Sequence, residues 1–258
     1  MNFAIPFLPT RLEKPRQSGI TMVMDKGLSV AEAENLISSS GHLIDFVKLG
    51  FGTSFMTGNL QQKIECYKRA NIKVYFGGTL FEAFIIRNAF EEYVKILDKF
   101  KLNTIEISDG SMRMSMDDKC NYIHKLSKNF LVISEVGSKD ASVHIDTADW
   151  VKLMKAELDA GSWKVIAEAR ESGNVGIYDA SGEANTNMIG EISAHIDPNH
   201  IIWEAPIKTQ QVWFIKQFGS NVNLGNIASN EVIALETLRL GLRGDTFHDF
   251  LPDNLKQK

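Results

Sequence analysis

Eight short apolar runs recur along the chain, and most of them end close to a charged residue. They begin near residues 20, 45, 73, 104, 131, 164, 201 and 221. In the run at 104–108, Ile105 and Ile107 alternate with Glu106 and Ser108, which is the period of a β-strand. Helical periodicity and helix-capping residues fill most of the stretches between the runs. The pattern therefore predicts a repeating strand-loop-helix unit.

The spacing of the runs indicates the architecture. Successive runs start 20 to 37 residues apart, the length of βα units joined by right-handed crossovers. Eight units predict an α/β fold, a (β/α)8 TIM barrel that forms one domain over residues 1–258. An open doubly wound sheet is the competing fold, but residues 24–29, MDKGLS, lack its GxGxxG turn. Residues 1–19 contain three prolines and predict an extended arm over the barrel.

Three further stretches give specific predictions. Apolar residues recur on one face from Thr79 to Phe100 and predict a single long amphipathic helix. Residues 171–187, ESGNVGIYDASGEANTN, are the longest polar stretch and predict a functional loop. Residues 221–227, NVNLGNI, are placed in the eighth strand.

Composition limits the classes of partner. The 258 residues are 44% hydrophobic with a formal net charge of -4, which gives no basic footprint for nucleic acid. No apolar run is long enough to span a membrane, and the N-terminal residues lack a signal-peptide core. Cys66 and Cys120 have no metal-ligand spacing and are interpreted as reduced thiols. We expect a cytoplasmic homo-oligomer that binds small molecules, with neither nucleic acid nor membrane as a partner.

Carboxylates stand at the ends of four predicted strands. Glu106, Glu135 and Glu168 lie at comparable depths on three successive strands, and Glu204 lies similarly on the seventh. In a barrel the C-terminal strand ends meet at the active-site face, so these side chains are expected to converge. Carboxylates grouped in this way repel one another unless a hard cation such as Mg²⁺ binds them. The alternative is that they form structural ion pairs with Lys26, Lys48, Lys164 or Arg170.

Basic residues fall at or just beyond the same strand ends. They are Lys26, Lys48, Arg113, Lys139 and Arg170. Such a set suits an anionic substrate that has both a phosphate and a carboxylate. Gly225 and Asn226, with Arg239 and Arg243 further on, lie around the eighth strand, where barrels often bind phosphate on backbone N–H groups.

Long motifs in order along the chain resemble one family. They are DFVKLGFGTS at 45–54, FGGTLFE at 76–82, IEISDGS at 105–111, ISEVGSKD at 133–140, VIAEARESG at 165–173, WEAP at 203–206, NVNLGNI at 221–227 and ALETLRLGLRGDT at 234–246. The series is similar to the phosphosulfolactate synthases, the ComA-type proteins. The resemblance covers nearly the whole chain and implies a (β/α)8 barrel.

The resemblance also implies a reaction, the Mg²⁺-dependent addition of sulfite to phosphoenolpyruvate that yields (R)-2-phospho-3-sulfolactate. In methanogens this product leads to coenzyme M. The cofactor would then be Mg²⁺ held by some of Glu106, Glu135 and Glu168, with Glu106 also a candidate for direct catalysis.

Two lysines, Lys48 and Lys139, are the candidates for protonating carbon, with a pKa lowered by neighbouring cations. The residues predicted to bind substrate are Lys26, Arg113, Arg170, Glu204, Gly225 and Asn226.

Two alternatives to this function stay open. Plant heat-stress-associated proteins resemble the same family, so a non-catalytic stress or assembly role is one of them. Another Mg²⁺-dependent barrel enzyme that acts on a phosphorylated small acid is the second. The strand-end glutamates and lysines favour an enzyme over the non-catalytic role.

Overall fold

The computed structural model describes residues 2–50, 52–138, 145–169 and 172–256. Eight strands lie at the positions that the apolar runs predict. They are β1 Thr21–Asp25, β2 Phe46–Leu49, β3 Lys73–Phe76, β4 Thr104–Ile107, β5 Leu131–Val136, β6 Lys164–Ala167, β7 Ile201–Glu204 and β8 Leu224–Ala228. The eighth strand begins three residues later than predicted, because Asn221–Asn223 lie in the turn before it.

All eight strands form one parallel sheet in the order β3-β2-β1-β8-β7-β6-β5-β4. Pairing of β1 with β8 closes the sheet on itself, and β3 and β4 lie side by side without a hydrogen-bonded ladder. The fold is a nearly closed (β/α)8 barrel, which confirms the predicted class and excludes the open doubly wound sheet.

Ten helices are assigned in the described part of the chain. They are α1 Val30–Ser40, α2 Thr53–Met56, α3 Leu60–Arg69, α4 Gly78–Ile85, α5 Phe90–Lys99, α6 Met116–Leu126, α7 Thr147–Asp159, α8 Thr186–His195, α9 Lys208–Phe218 and α10 Val232–Arg239. Ser29, Ser115 and Asp146 cap α1, α6 and α7 by accepting backbone N–H groups of the first turn.

Two helix predictions need correction. The single helix expected from Thr79 to Phe100 is divided into α4 and α5, because Asn88 adopts a left-handed conformation with φ 54° and ends the first helix. The loop predicted over 171–187 is shorter, and its described part runs from residue 172 to residue 185. Its end enters α8, where Asn185 accepts the backbone N–H of Met188 as the cap.

The barrel interior begins with an apolar layer. It consists of Ile20, Met22, Phe46, Tyr75, Ile133, Ile166 and Ile202, all buried. The residues on the opposite strand faces, including Ile105, Ile107 and Val132, pack against the helices and are also buried. Both faces of the parallel sheet are therefore buried, as expected of a barrel surrounded by helices.

The arm preceding β1 contains neither helix nor strand in residues 2–19 and lies across the N-terminal end of the barrel. Arg11 forms an ion pair with Glu236 at 2.7 Å and also donates to the backbone oxygens of Ser220 and Gly19. Arg16 forms a bidentate contact with Asp45, just before β2. These bonds hold the arm over the end of the barrel that lies opposite the strand C-termini.

Cys66 and Cys120 are free thiols, as their spacing in the sequence predicts. Across the described residues, none of the helices combines the length and the apolar composition that crossing a membrane requires.

Candidate active site

A polar layer lies directly above the apolar layer of the barrel, at its mouth, where the strand C-termini meet. Because side chains alternate along a strand, the residue two positions beyond an inward apolar residue also points inward. This places Lys48 beyond Phe46, Glu135 beyond Ile133, Glu168 beyond Ile166 and Glu204 beyond Ile202, and Glu106 enters the same layer from β4. The four glutamates are here called the carboxylate cluster.

Lys48 lies at the centre of the carboxylate cluster. Its Nζ is 2.9 Å from Glu106 Oε1, 2.9 Å from Glu135 Oε2 and 3.5 Å from Glu204 Oε1. The predicted ion-pair alternative therefore holds for Lys48. Of the other proposed partners, Lys164 lies at the opposite end of the barrel, where its ammonium donates to the backbone oxygen of Asn199. Lys48 therefore compensates part of the charge of Glu106, Glu135 and Glu204.

Three glutamates approach one another closely enough to share a cation. Glu135, Glu168 and Glu204 each place a carboxylate oxygen within 4.8 Å of the other two, and all three are buried. Hard divalent cations such as Mg²⁺ take oxygen ligands of this kind. The metal ligands predicted from the sequence were Glu106, Glu135 and Glu168. Two of them belong to this group of three, and Glu204 stands in place of Glu106.

Burial and the contacts with Lys48 set the electrostatics of the carboxylate cluster. Burial raises the pKa of Glu204 to about 7, although Lys48 opposes the shift. Burial also raises the pKa of Glu106. Burial by itself would lower the pKa of Lys48, but the charges of Glu106, Glu135 and Glu204 outweigh it and the pKa lies well above the ordinary value. The prediction that cations lower the pKa of Lys48 is therefore wrong, because its neighbours are carboxylates.

Backbone N–H groups orient two of the glutamates. Glu106 Oε1 accepts the N–H of Gly78 at 2.6 Å, and Glu204 Oε2 accepts the N–H of Ala169 at 3.1 Å. Gly78 permits the first contact, since a Cβ at that position would lie 2.2 Å from Ser108 Oγ and 2.9 Å from Glu106 Oε1. The first turn of α4 thus fixes a carboxylate of β4 across the unpaired edge of the sheet.

Strand β8 adds an amide to the layer. Asn226 has φ 58°, and the register between β1 and β8 shifts there, which is the geometry of a β-bulge. Its Nδ2 lies 3.4 Å from Glu204 Oε2. Gly225 packs against the barrel interior, where a Cβ would lie 2.4 Å from Met22 Cε. Both were predicted to bind substrate, and that role stays a prediction.

The predicted basic residues other than Lys48 divide into two groups. Lys26, just beyond β1, and Arg113, between β4 and α6, are exposed. Arg113 borders a cleft of about 820 Å³ with Gly137 and Ser138. Lys139 and Arg170 lie outside the described residues.

Arg239 corrects the predicted phosphate site. It lies at the N-terminal end of the barrel, where it donates to the backbone oxygens of Ser220, Val222 and Ile20.

A buried ion-pair network behind β5 was not predicted from the sequence. Lys119 on α6 lies 2.7 Å from Asp109 Oδ1 and 2.7 Å from Glu157 Oε1, and it donates to the backbone oxygen of Glu135 at 2.6 Å. Lys119 and Glu157 are nearly inaccessible to solvent. The network ties the loop after β4 and helix α7 to the strand that carries Glu135.

Replacing Lys119 by Met is expected to destabilise the protein by about 3 to 5 kcal/mol, because it leaves the buried carboxylate of Glu157 without its cation. Urea unfolding measures the change. Lys125→Met on the same helix is the matched control, since its ion pair with Glu91 is exposed and is expected to contribute at most about 1 kcal/mol. Equal losses of stability in the two variants would show that the buried ion pairs of Lys119 do not stabilise the fold.

Metal-free protein should lose stability as the pH rises from about 4.5 to about 7. The pKa of Glu204 is about 4.5 in the unfolded chain and about 7 in the folded one. The unfolded chain therefore releases its proton first, which lowers the free energy of the unfolded state relative to the folded state. Thermal melts in EDTA across this range measure the effect. Glu204→Gln should flatten the pH profile, whereas Glu34→Gln, at an exposed position of α1, should leave it unchanged. If Glu204→Gln leaves the pH profile of stability unaltered, the raised pKa does not belong to Glu204.

The barrel and its buried acidic mouth define an α/β-barrel enzyme. Residues 9–245 match the family described as (2R)-phospho-3-sulfolactate synthase (ComA). The chain belongs to this family.

Two relatives and one solved structure show the extent of the similarity. Phosphosulfolactate synthase of Bacillus subtilis (strain 168) is 44% identical over 243 residues, which cover 93% of this chain and 96% of that protein. Phosphosulfolactate synthase of Methanocaldococcus jannaschii is 45% identical over 237 residues, with 90% and 94% covered. The crystal structure of a 3-hexulose-6-phosphate synthase superposes with a TM-score of 0.57 at 13% identity, covering 85% of this chain and 98% of that one. This last likeness shows the barrel fold.

Proposed function

We propose that the protein is a phosphosulfolactate synthase that adds sulfite to phosphoenolpyruvate and forms (R)-2-phospho-3-sulfolactate. The observation that supports this most is the buried carboxylate cluster at the mouth of a barrel from this family. Both relatives compared above are named as this enzyme, which favours it over a non-catalytic role.

The reaction forms one carbon–sulfur bond and one carbon–hydrogen bond. The sulfur lone pair of sulfite attacks the methylene carbon of phosphoenolpyruvate, and the electrons of the carbon–carbon double bond move into the substrate carboxylate. A proton is then added to the carbon that carries the phosphate, and the substrate carboxylate is restored. The enzyme must therefore stabilise extra negative charge and deliver one proton.

The donor set fits the divalent cation that the family resemblance implies. Glu135, Glu168 and Glu204 would hold Mg²⁺, since they supply three buried carboxylate oxygens whose mutual repulsion a divalent charge relieves. Bound there, Mg²⁺ would stabilise the charge that develops on the substrate carboxylate. Lys48 binds both Glu106 and Glu135 at 2.9 Å, and Ala169 N–H and Asn226 fix Glu204.

The remaining roles are assigned to basic residues. Arg113 borders the cleft beside the mouth and would bind an anionic end of the substrate. Lys139 is proposed as the proton donor to carbon, because the raised pKa of Lys48 makes its ammonium a weak acid. Lys48 is instead assigned to the organisation of the glutamates.

Consumption of phosphoenolpyruvate tests the proposal. The purified protein should consume it, seen as loss of the ultraviolet absorbance of the enol, only when both sulfite and Mg²⁺ are present. Consumption that does not require sulfite would favour the second alternative, a different Mg²⁺-dependent reaction of a phosphorylated small acid. No consumption with any divalent cation would overturn the proposal.

A further inference from the structure

A second cavity lies at the end of the barrel opposite the carboxylate cluster. It has a volume of about 580 Å³ and lies between the N-terminal arm and the first residues of β2 to β6. Five cations line it, Lys14 and Arg16 from the arm and Lys68, Lys73 and Lys101 from the barrel. We call this cavity the basal pocket. Its volume is that of a site for a small organic ligand.

Positive charge in the basal pocket exceeds negative charge. Asp45 is its one carboxylate among the described residues, and both of its oxygens already accept from Arg16, while Oδ2 also accepts Thr21 N–H. Lys68 donates to the backbone oxygen of Lys101. So much uncompensated positive charge in a protein of net charge -4 is expected to attract anions.

The lysines of the basal pocket lack acidic partners. In the described ranges, Lys14, Lys68, Lys73 and Lys101 form no ion pair with a carboxylate. Burial lowers the pKa of Lys14, and the charges of Arg16 and Lys73 lower it further against the opposing effect of Asp45. An anion in the pocket would relieve this repulsion.

The wall of the basal pocket is aromatic and apolar. Phe46 and Trp163 contact each other with ring centroids 5.6 Å apart, and Leu102 lies beside them. The ammonium of Lys73 lies 5.4 Å from the Phe46 ring. Trp163 is half-buried and the ammonium of Lys164 lies 4.4 Å from its ring centroid, so a planar group would contact the part of the ring that stays exposed. Charge and stacking surface therefore occur side by side in one cavity.

We propose that the basal pocket binds a nucleoside polyphosphate, with the phosphates on the lysines and the base against Trp163. The triphosphate matches several cations that lack acidic partners, and the base matches the apolar wall. Lys14 and Arg16 already bind groups of the protein, so the phosphates are assigned to Lys68, Lys73 and Lys101. The site is separate from the mouth and does not depend on the proposed reaction.

Titration calorimetry of the full-length protein with ATP tests this site, in EDTA and at low ionic strength. Without a divalent cation the carboxylate cluster repels a polyanion, so binding should report the basal pocket. Lys73→Met and Lys68→Met are each expected to weaken ATP binding roughly tenfold, by loss of a charged contact. Lys155→Met, an exposed position on α7, is the matched control and should bind ATP like the wild type. Thermal melts establish that the variants are folded.

Each remaining outcome contradicts part or all of the proposal. Absence of ATP binding to the wild type, or equal affinity in Lys73→Met and Lys155→Met, would overturn it. If inorganic triphosphate binds as tightly as ATP, the role of the base and of Trp163 is wrong.

Discussion

Glu168→Gln is expected to weaken Mg²⁺ binding by at least about 100-fold. Glu168 supplies one of three carboxylate oxygens that lie within 4.8 Å of one another, and the amide keeps the shape while removing the charge. Loss of residues that only support metal ligands typically costs 10- to 100-fold in metal affinity, so loss of a ligand should cost at least as much. Titration calorimetry with Mg²⁺ or Mn²⁺ measures the affinity directly.

Glu106→Gln is the matched control for Glu168→Gln. Glu106 is equally buried in the same polar layer, but its Oε1 contacts Lys48 and Gly78 N–H, and it is not a member of the group of three. Its substitution should change Mg²⁺ affinity by no more than about tenfold. A larger loss in Glu106→Gln than in Glu204→Gln would restore the ligand set predicted from the sequence, Glu106, Glu135 and Glu168.

Lys48→Met is expected to destabilise the metal-free protein by about 3 to 5 kcal/mol. The substitution leaves Glu106, Glu135 and Glu204 buried without their shared cation, and removal of one partner from a buried ion pair has a cost of this size. Mg²⁺ should raise the melting temperature of this variant more than that of the wild type, because the divalent charge replaces the missing ammonium. Thermal melts with and without Mg²⁺ measure both effects.

Lys26→Met provides the comparison for Lys48→Met. Lys26 follows β1 and is exposed, so its loss should change stability by no more than about 0.5 kcal/mol. If Lys48→Met melts like the wild type in EDTA, the carboxylate cluster does not hold the charge that its geometry indicates. If Mg²⁺ stabilises both proteins equally, the ion binds away from Lys48.

The strand positions could be predicted because a buried parallel strand has a period and a length that are visible in sequence. The division between α4 and α5 could not, since Asn88 ends the helix through a left-handed backbone conformation that Asn adopts only in some contexts. Helix α8 was missed for a related reason. Its first residues continue a polar loop, and its cap, Asn185, is common in loops as well.

The polar layer could be predicted as a group, but its internal pairing could not. Alternation along each strand places the glutamates and Lys48 in the mouth, whereas neighbours are set by strand register. Glu106 pairs with Ile133 and Glu135 with Ile166. Glu135 therefore lies two residues further along the sheet than Glu106, and Glu168 two further than Glu135. Ala167 pairs with Trp203, which aligns Glu168 with Glu204. This stagger explains why Glu204 replaces Glu106 beside Glu135 and Glu168.

Buried ion pairs were the least predictable part of the site. Lys119 lies in a polar stretch of a surface helix, and only the packing of α6 against α7 buries it beside Glu157. The raised pKa of Lys48 was equally hard to predict. A cationic neighbourhood was expected from the many basic residues at strand ends, yet Lys26 and Arg113 lie in solvent.

Phosphorus NMR of the reaction mixture distinguishes addition of sulfite to phosphoenolpyruvate from every other fate of this substrate. The protein, phosphoenolpyruvate and sulfite are combined with Mg²⁺, and the ³¹P spectrum is followed with and without proton decoupling. We expect the resonance of the enol phosphate to be replaced by one new phosphate ester coupled to a single proton on its carbon, and omission of sulfite to prevent this change. Persistence of phosphoenolpyruvate, or its conversion to free phosphate alone, would show that the protein is not a phosphosulfolactate synthase.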